Sequence, residues 1–217
     1  MEFAAMTGKE RVIDAYCGTG TIGIIASGNA RDVIGVELNR DAIRDARMNA
    51  RENKIRNVRF VPGDAGWFME GMAAEGEKVE VVLMDPPRSG SDRKFLHSLL
   101  TLSPEKIVYV SCNPETLARD LACLTKRDYL VKKMQPVDMF PLTDSVEVVC
   151  FWRIVGPDRE ELDFWQLTVI CDAKRRNKKR MDRTVYRKLQ PLFKNGSKFL
   201  KHGRTANYIN SRNLIAL

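Results

Sequence analysis

Residues 14–23 read DAYCGTGTIG, with Gly18, Gly20 and Gly23 falling between a short apolar run and a stretch of helical spacing. The run before them, Arg11–Ala15, reads as a strand, and Gly20–Ser27 reads as the start of a helix. A chain that turns this sharply from strand to helix is committed to an α/β arrangement whose backbone approaches a ligand at the turn. The turn alone does not choose the ligand. G-T-G-T-I-G fits the dinucleotide pattern literally, so a nicotinamide cofactor is a rival at this point. Glu37 narrows the field: it ends the next strand-like run, 23 residues after Asp14, where a carboxylate can accept both hydroxyls of a ribose. Its plainer reading is a charge that favours the N-terminus of the following helix.

The remaining pattern extends the same architecture. Strands are expected at Asp32–Glu37, Val58–Val61, Glu80–Met84 and Lys106–Val110. Helices are expected over Asn39–Asn53, Arg93–Leu102 and Pro114–Leu124. Asn39 and Asn113 are their natural N-caps, and Pro114 suits the first helical position. Two further strands, near Tyr129–Pro136 and Val146–Ile154, have no helix between them. The sequence therefore predicts a mostly parallel, doubly wound sheet with an antiparallel hairpin at one edge.

Charge divides the chain. Its formal net charge is +8, yet from Pro157 onward 15 Lys and Arg face 6 Asp and Glu, so the whole basic excess lies in the tail. Gly156-Pro157 marks the boundary, giving a folded domain over 1–155 and a basic extension over 156–217. KRRNKKR at 174–180 suits a polyanion as well as a solvated helix. No apolar run approaches membrane-spanning length and the N-terminus lacks signal-peptide order, so a cytoplasmic protein is expected. The 5 cysteines form no CxxC pair and His97 and His202 are the sole histidines, which argues against a disulfide framework and a metal site.

Three more segments carry chemistry. MDPPRSG at 84–90 follows a strand, and its two prolines stiffen a turn that aims Asp85 at the ligand crevice. Arg88 stands where an amino-group methylase would carry a base-stacking aromatic, which disfavours that chemistry. VSCNPETLARDL at 110–121 sets Cys112 between a strand end and a capped helix, where helix N–H groups favour a thiolate. DMFPLTDSVEVV at 138–149 brings Glu147 into the last strand.

These four segments, in this order over roughly residues 2–154, resemble the RNA uracil-5-methyltransferase family of the RumA and TrmA type. The resemblance implies a Rossmann-like class I methyltransferase fold, S-adenosylmethionine as cofactor and a uridine in RNA as substrate. It assigns Cys112 as nucleophile and Glu147 as the base that removes the C5 proton. It assigns Tyr16, Gly18, Gly20, Thr21, Glu37, Asp64 and Asp85 to the cofactor or base pocket. It also implies a monomer with an RNA partner, for which rRNA is expected ahead of tRNA. The family's His-Val-Glu reads Ser145-Val146-Glu147 here, and its small N-terminal RNA-binding barrel has no counterpart, so a catalytic-domain fragment is expected. Two rivals remain at this level. One is a binding module without activity. The other is a cytosine-5 methylase, which the absence of a cysteine beside Asp85-Pro86-Pro87 disfavours.

Overall fold

The computed structural model describes residues 3–154 apart from 126–128, 141 and 144. The basic extension and its boundary lie outside the described residues. Seven strands form one sheet in the order β3-β2-β1-β4-β5-β7-β6, flanked by helices. The strands are β1 (Arg11–Ala15), β2 (Asp32–Glu37), β3 (Val58–Pro62), β4 (Val81–Met84), β5 (Lys106–Ser111), β6 (Tyr129–Val137) and β7 (Glu147–Ile154). β1 to β5 run parallel, and β6 and β7 form the expected antiparallel pair, with an irregularity between Val131 and Lys133.

Burial explains why these runs form strands in these places. β4 is buried at every position, β1 at all but its first residue and β2 at all but its two ends, as parallel strands covered on both faces must be. From Glu147 to Trp152 β7 alternates between half-buried and buried residues, the signature of a strand with one covered face, and Arg153 beyond them is exposed.

The described residues fall into two compact units: those up to Pro86 together with Asp92–Tyr109, and Pro87–Ser91 together with those from Val110 onward. The first unit holds β1–β4, α1 (Thr21–Ser27), α2 (Arg40–Glu52), α3 (Ala65–Ala74) and α4 (Arg93–Leu102). Asn39 caps α2 as expected, its side chain accepting from the N–H groups of Asp41 and Ala42. α3 was not expected. Its sequence, AGWFMEGMAA, carries two glycines and leaves Trp67 64% exposed, so apolar residues on both faces blur the helical period. The helix is held by its Asp64 cap and by packing on α4, where Gly66 lets the Phe95 backbone approach. Lys94 sits 4.2 Å above the Trp67 ring and covers part of its face.

The second unit holds α5 (Pro114–Leu124), β6 and β7. Asn113 caps α5 and Pro114 opens it, as expected. Trp152, Tyr129, Leu117 and Leu124 are its largest fully buried side chains.

Candidate active site

In the first unit, three neighbouring strand ends each present a carboxylate: Asp14 from β1, Glu37 from β2, and Asp85 just after β4. Asp14 is wholly buried. Its Oδ2 accepts from the Gly23 N–H at 2.7 Å, while its Oδ1 has no hydrogen-bond partner. Glu37 accepts from the Gly18 N–H at 3.2 Å and from the Asn39 N–H at 2.8 Å, so it ties the glycine turn to the start of α2. Its carboxylate keeps lone pairs for further donors. Asp85 is exposed at the rim, its carboxyl raised by partial desolvation. Burial, helped by the Asp85 and Glu37 charges, pushes the Asp14 carboxyl up to about 7 against the opposing pull of the Gly23 N–H. A cationic ligand relieves such a cluster. Glu37 and Asp85, which unlike Asp14 are not sealed, leave negative charge at this end of the sheet that suits a ligand carrying a positive group. Among the described residues no group of His, Cys, Asp and Glu is arranged to hold a metal ion.

Asp14 belongs to the first motif but lies outside the site residues expected there. The signal was its place at the head of the glycine turn, where a buried acid reads equally well as a purely structural support. Its titration carries a stability prediction. The folded chain keeps this proton to about pH 7, whereas an unfolded aspartate releases it near pH ~4. The unfolded state therefore binds fewer protons across that window, and stability falls as pH rises through it, by on the order of a few kcal/mol. Melting temperatures of the parent and Asp14→Asn should diverge in the variant's favour between about pH 4 and pH 8, whatever their offset at low pH. A difference that stays flat over that range would show that Asp14 titrates as an ordinary aspartate.

The glycines of the turn divide by role. Gly18 has φ +53° and nothing within 4 Å of where a Cβ would stand, so open space lies over it for a ligand. Gly20 has φ +85°, but a Cβ there would stand 2.5 Å from the Phe60 ring. Its need for glycine is packing as much as ligand approach. At Gly23 a Cβ would stand 2.9 Å from Asp14 Oδ2 and would disturb the 2.7 Å bond.

The other expected pocket residues take mixed positions. Tyr16 holds a left-handed backbone, φ +62°, and its ring lies 4.8 Å from that of Phe95. A non-glycine residue there is strained, and such strain concentrates at ligand sites. Thr21 is exposed as the first residue of α1. Asp64 is exposed, and its Oδ1 accepts from the Trp67 N–H at 2.9 Å as the cap of α3, so one of its oxygens has a structural task.

Cys112 and Glu147 both belong to the second unit. Cys112 directly follows β5, Glu147 is the first residue of β7, and those strands are neighbours in the sheet order. Both are half-buried. Two of the other described cysteines, Cys17 and Cys150, differ from Cys112 in being buried. Burial, with the Asp14 and Glu37 charges, pushes the Cys17 thiol up to about 12, and burial pushes the fully buried Cys150 thiol up as well. Neither forms a thiolate at neutral pH. Cys123 is half-buried near the end of α5.

The turn around Cys112 is fastened on both sides. The Ser111 hydroxyl donates to the Asn113 carbonyl at 3.0 Å and accepts from the Asn113 N–H at 3.2 Å. The Asn113 side-chain amide and the Thr116 hydroxyl both donate to the Arg88 carbonyl, at 3.1 and 3.2 Å. Further along α5, the fully buried Asp120 accepts from the Ser91 N–H at 2.8 Å and from Arg119 Nη2 at 2.7 Å. Arg119 in turn donates to the Ser91 carbonyl at 2.8 Å. Gly90, with φ +74°, is the residue that fits there, since a Cβ would stand 2.6 Å from Arg119 and 2.8 Å from Asp120. The Pro87–Ser91 loop is thus bound to the helix that Cys112 precedes. Sequence reading passed over these supporting residues, because an Arg-Asp pair inside a helix looks like a solvated face.

A mostly parallel sheet with an antiparallel terminal hairpin, and a glycine turn beside strand-end carboxylates, define a Rossmann-like class I methyltransferase fold. The model of the tRNA (uracil-5-)-methyltransferase family matches residues 2–153, and the chain belongs to that family. It is 50% identical over 149 residues to an uncharacterized RNA methyltransferase of Halalkalibacterium halodurans, covering 69% of this chain and 32% of that protein. It is 48% identical over 149 residues to one of Clostridium acetobutylicum, with the same coverage. Among solved structures it resembles the tRNA (uracil-54, C5)-methyltransferase of Pyrococcus abyssi in complex with S-adenosyl-L-homocysteine. That match has a TM-score of 0.58 and 33% identity, and covers 70% of this chain and 36% of that one. The chain therefore spans about a third of the length of the curated relatives it matches.

The expectation of rRNA ahead of tRNA is corrected by these findings. The family model and the P. abyssi enzyme are both described by tRNA. The expectation had no residue behind it, since none of the motifs it accompanied reads an RNA sequence. Among the described residues no helix is long and apolar enough to cross a membrane.

Proposed function

We propose that the chain is the catalytic portion of an S-adenosylmethionine-dependent enzyme that methylates C5 of a uridine in tRNA, with Cys112 as nucleophile and Glu147 as base. The observation that carries this reading is the division among cysteines. Cys17 and Cys150 are sealed and held as thiols, while Cys112 is half-buried at the start of a capped helix, in the segment that matches the family. The acidic cluster of Asp14, Glu37 and Asp85 supports a cationic cofactor, and the P. abyssi relative was solved with its demethylated product. Tyr16, Gly18, Gly20, Thr21 and Asp64 are the remaining residues proposed to surround it.

S-adenosylmethionine, when bound, supplies an electrophilic methyl group. The protein's part is to make uracil C5 able to accept it. Addition of the Cys112 sulfur to C6 leaves electron density at C5. After methylation C5 carries both a methyl group and a proton. Glu147 takes that proton, the electron pair it leaves behind re-forms the C5–C6 double bond, and the sulfur departs from C6. The base must leave its stack for any of this to occur. Asp85, exposed at its strand end, is suited to hydrogen-bond the uracil edge and so help reject cytosine.

Titration calorimetry with S-adenosylhomocysteine tests the cofactor half of the proposal. Glu37→Ala should weaken binding about 5- to 150-fold, equivalent to ~1–3 kcal/mol for lost charge-assisted hydrogen bonds. Because Glu37 also secures Gly18 and Asn39, Glu37→Gln serves as a control that keeps the shape of the side chain. Unchanged affinity in a folded Glu37→Ala chain would remove Glu37 from the site. NADH binding without any response to S-adenosylhomocysteine would overturn the methyltransferase reading. Binding of S-adenosylhomocysteine with no transfer to tRNA would favour a binding module instead.

A further inference from the structure

The acidic cluster leaves the first unit with a second charged feature of opposite sign. Arg40, Arg44, Arg47 and Arg51 recur at intervals of four, three and four residues, which aligns them along one stripe of α2. Lys54, Arg56 and Arg59 continue the run, so residues 40–59 hold seven basic side chains against three acidic ones. All seven basic residues are exposed. Elsewhere in residues 1–156 acidic side chains are in excess, so this concentration is local.

Between α2 and β3, at the end of the sheet order, lies a groove of about 400 Å³ lined by Arg47, Arg51, Arg59 and four apolar residues, Ala50, Ile55, Val58 and Phe60. No carboxylate lines it. Arg47 Nε and Nη2 donate to the Phe60 carbonyl at 3.3 and 2.7 Å, which orients the guanidinium without neutralising it. Arg44, outside the groove, is matched instead by Asp41 at 3.0 Å and Asp45 at 3.6 Å. Two of the three acids of α2, Asp41 and Asp45, are thus placed against Arg44, the third, Glu52, does not line the groove, and the groove keeps its positive charge. A planar cation already oriented by a backbone carbonyl suits phosphate oxygens, and arginine binds them with paired N–H groups.

We propose that this groove is a docking site for the phosphate backbone of the RNA substrate, separate from the residues that carry the chemistry. The proposal rests on the RNA-methylating reading given above. The stripe on α2 runs about 16 Å from Arg40 to Arg51 at the helical rise per residue, long enough to follow several phosphates rather than one. Contacts of this kind set position and affinity and leave base choice to the active site.

Fluorescence anisotropy of the 217-residue chain with an unmodified tRNA transcript, over a range of salt concentrations, tests it. Arg51→Ala/Arg59→Ala should weaken binding several-fold at about 100 mM salt and lower the slope of log affinity against log salt by roughly 0.7–1.8, as expected for one or two lost phosphate contacts. Lys9→Ala/Lys78→Ala removes the same charge from exposed positions elsewhere in the unit, and should leave the slope near that of the parent. S-adenosylhomocysteine binding should be the same in all three chains. Equal slopes for the parent and the arginine variant would overturn the proposal, as would an equal fall in the lysine control or a parent that binds no tRNA. Polyglutamate binding that the arginine substitutions weaken, with tRNA affinity unaltered by them, would assign the groove to an acidic protein instead. The two readings fail separately. A parent that binds S-adenosylhomocysteine and tRNA with an unaltered slope in the variant loses only the groove. A parent that ignores S-adenosylhomocysteine loses the methyltransferase reading.

Discussion

Cys112→Ala is expected to reduce uridine methylation to background and to abolish covalent capture of a tRNA carrying 5-fluorouridine at the target position. Fluorine at C5 cannot leave as a proton does, so an enzyme that adds sulfur to C6 stays attached to such an RNA. Without the sulfur nothing can add. Cys123→Ala, which alters another half-buried cysteine in the same unit, should still form the adduct. Glu147→Gln should fail differently. It keeps the nucleophile and the shape of the side chain but cannot accept the C5 proton, so a methylated protein–RNA adduct should accumulate on ordinary uridine while turnover falls by about 10²–10⁴. Denaturing electrophoresis separates the outcomes. Methylation by Cys112→Ala would show the covalent route to be wrong. Normal turnover by Glu147→Gln with no trapped adduct would place the base elsewhere, and Ser145, where the family carries histidine, would mark the loop as diverged from its relatives.

The strands and capped helices were legible because their signals are local. Hydrophobic runs of five or six residues bounded by turn residues gave β1, β2 and β5 within a residue of their ends, and Asn39 and Asn113 cap α2 and α5 through their own side chains. What failed depended on contacts distant in sequence. α3 has no clean apolar face because Trp67 faces outward against Lys94, a residue 27 positions later. Asp120 carries no local signal of its place in the interior, which is set by its bond to the Ser91 N–H, 29 residues earlier in the chain.

The site was legible in a similarly divided way. Motif spacing located the glycine turn and Glu37, but it assigned the glycines to the sharp turn and ligand approach and not to the packing that Gly20 also serves. Asp64 could be named from resemblance, yet its capping bond to Trp67 required knowing that a helix starts there. The charge balance of residues 1–156, close to neutral as a whole, hid two opposed clusters, the basic one continuous in residues 40–59 and the acidic one gathered only by the fold. One gathers Asp14, Glu37 and Asp85, and the other lines the groove between α2 and β3.

Gly35 is the position where sequence was most silent and where substitution should be among the most disruptive. It lies in β2 directly opposite Phe60 of β3. A Cβ at Gly35 would stand 2.4 and 2.6 Å from the Phe60 ring and 3.0 Å from Cys17 Sγ. The ring cannot simply move aside. It is 4% exposed, it packs with Cys17, Ile43, Ala46 and Ala50, and a Cβ at Gly20 would meet it at 2.5 Å. One aromatic ring therefore fills the space left by two glycines, one in a core strand and one in the ligand turn. Gly35→Ala should cost about 1–3 kcal/mol by overpacking, a fall in melting temperature of roughly 2–12 °C for a chain of this size. Phe60→Ala should cost about 3–5 kcal/mol by emptying the site. Gly35→Ala/Phe60→Leu should be more stable than the sum of its single substitutions, because the smaller side chain makes room for the added methyl group. Pressure on the ring also reaches Gly20, so Gly35→Ala should weaken S-adenosylhomocysteine binding while the double variant recovers part of it. Strict additivity of the two substitutions in melting temperature would separate Gly35 from Phe60 and remove the proposed link between the core and the glycine turn.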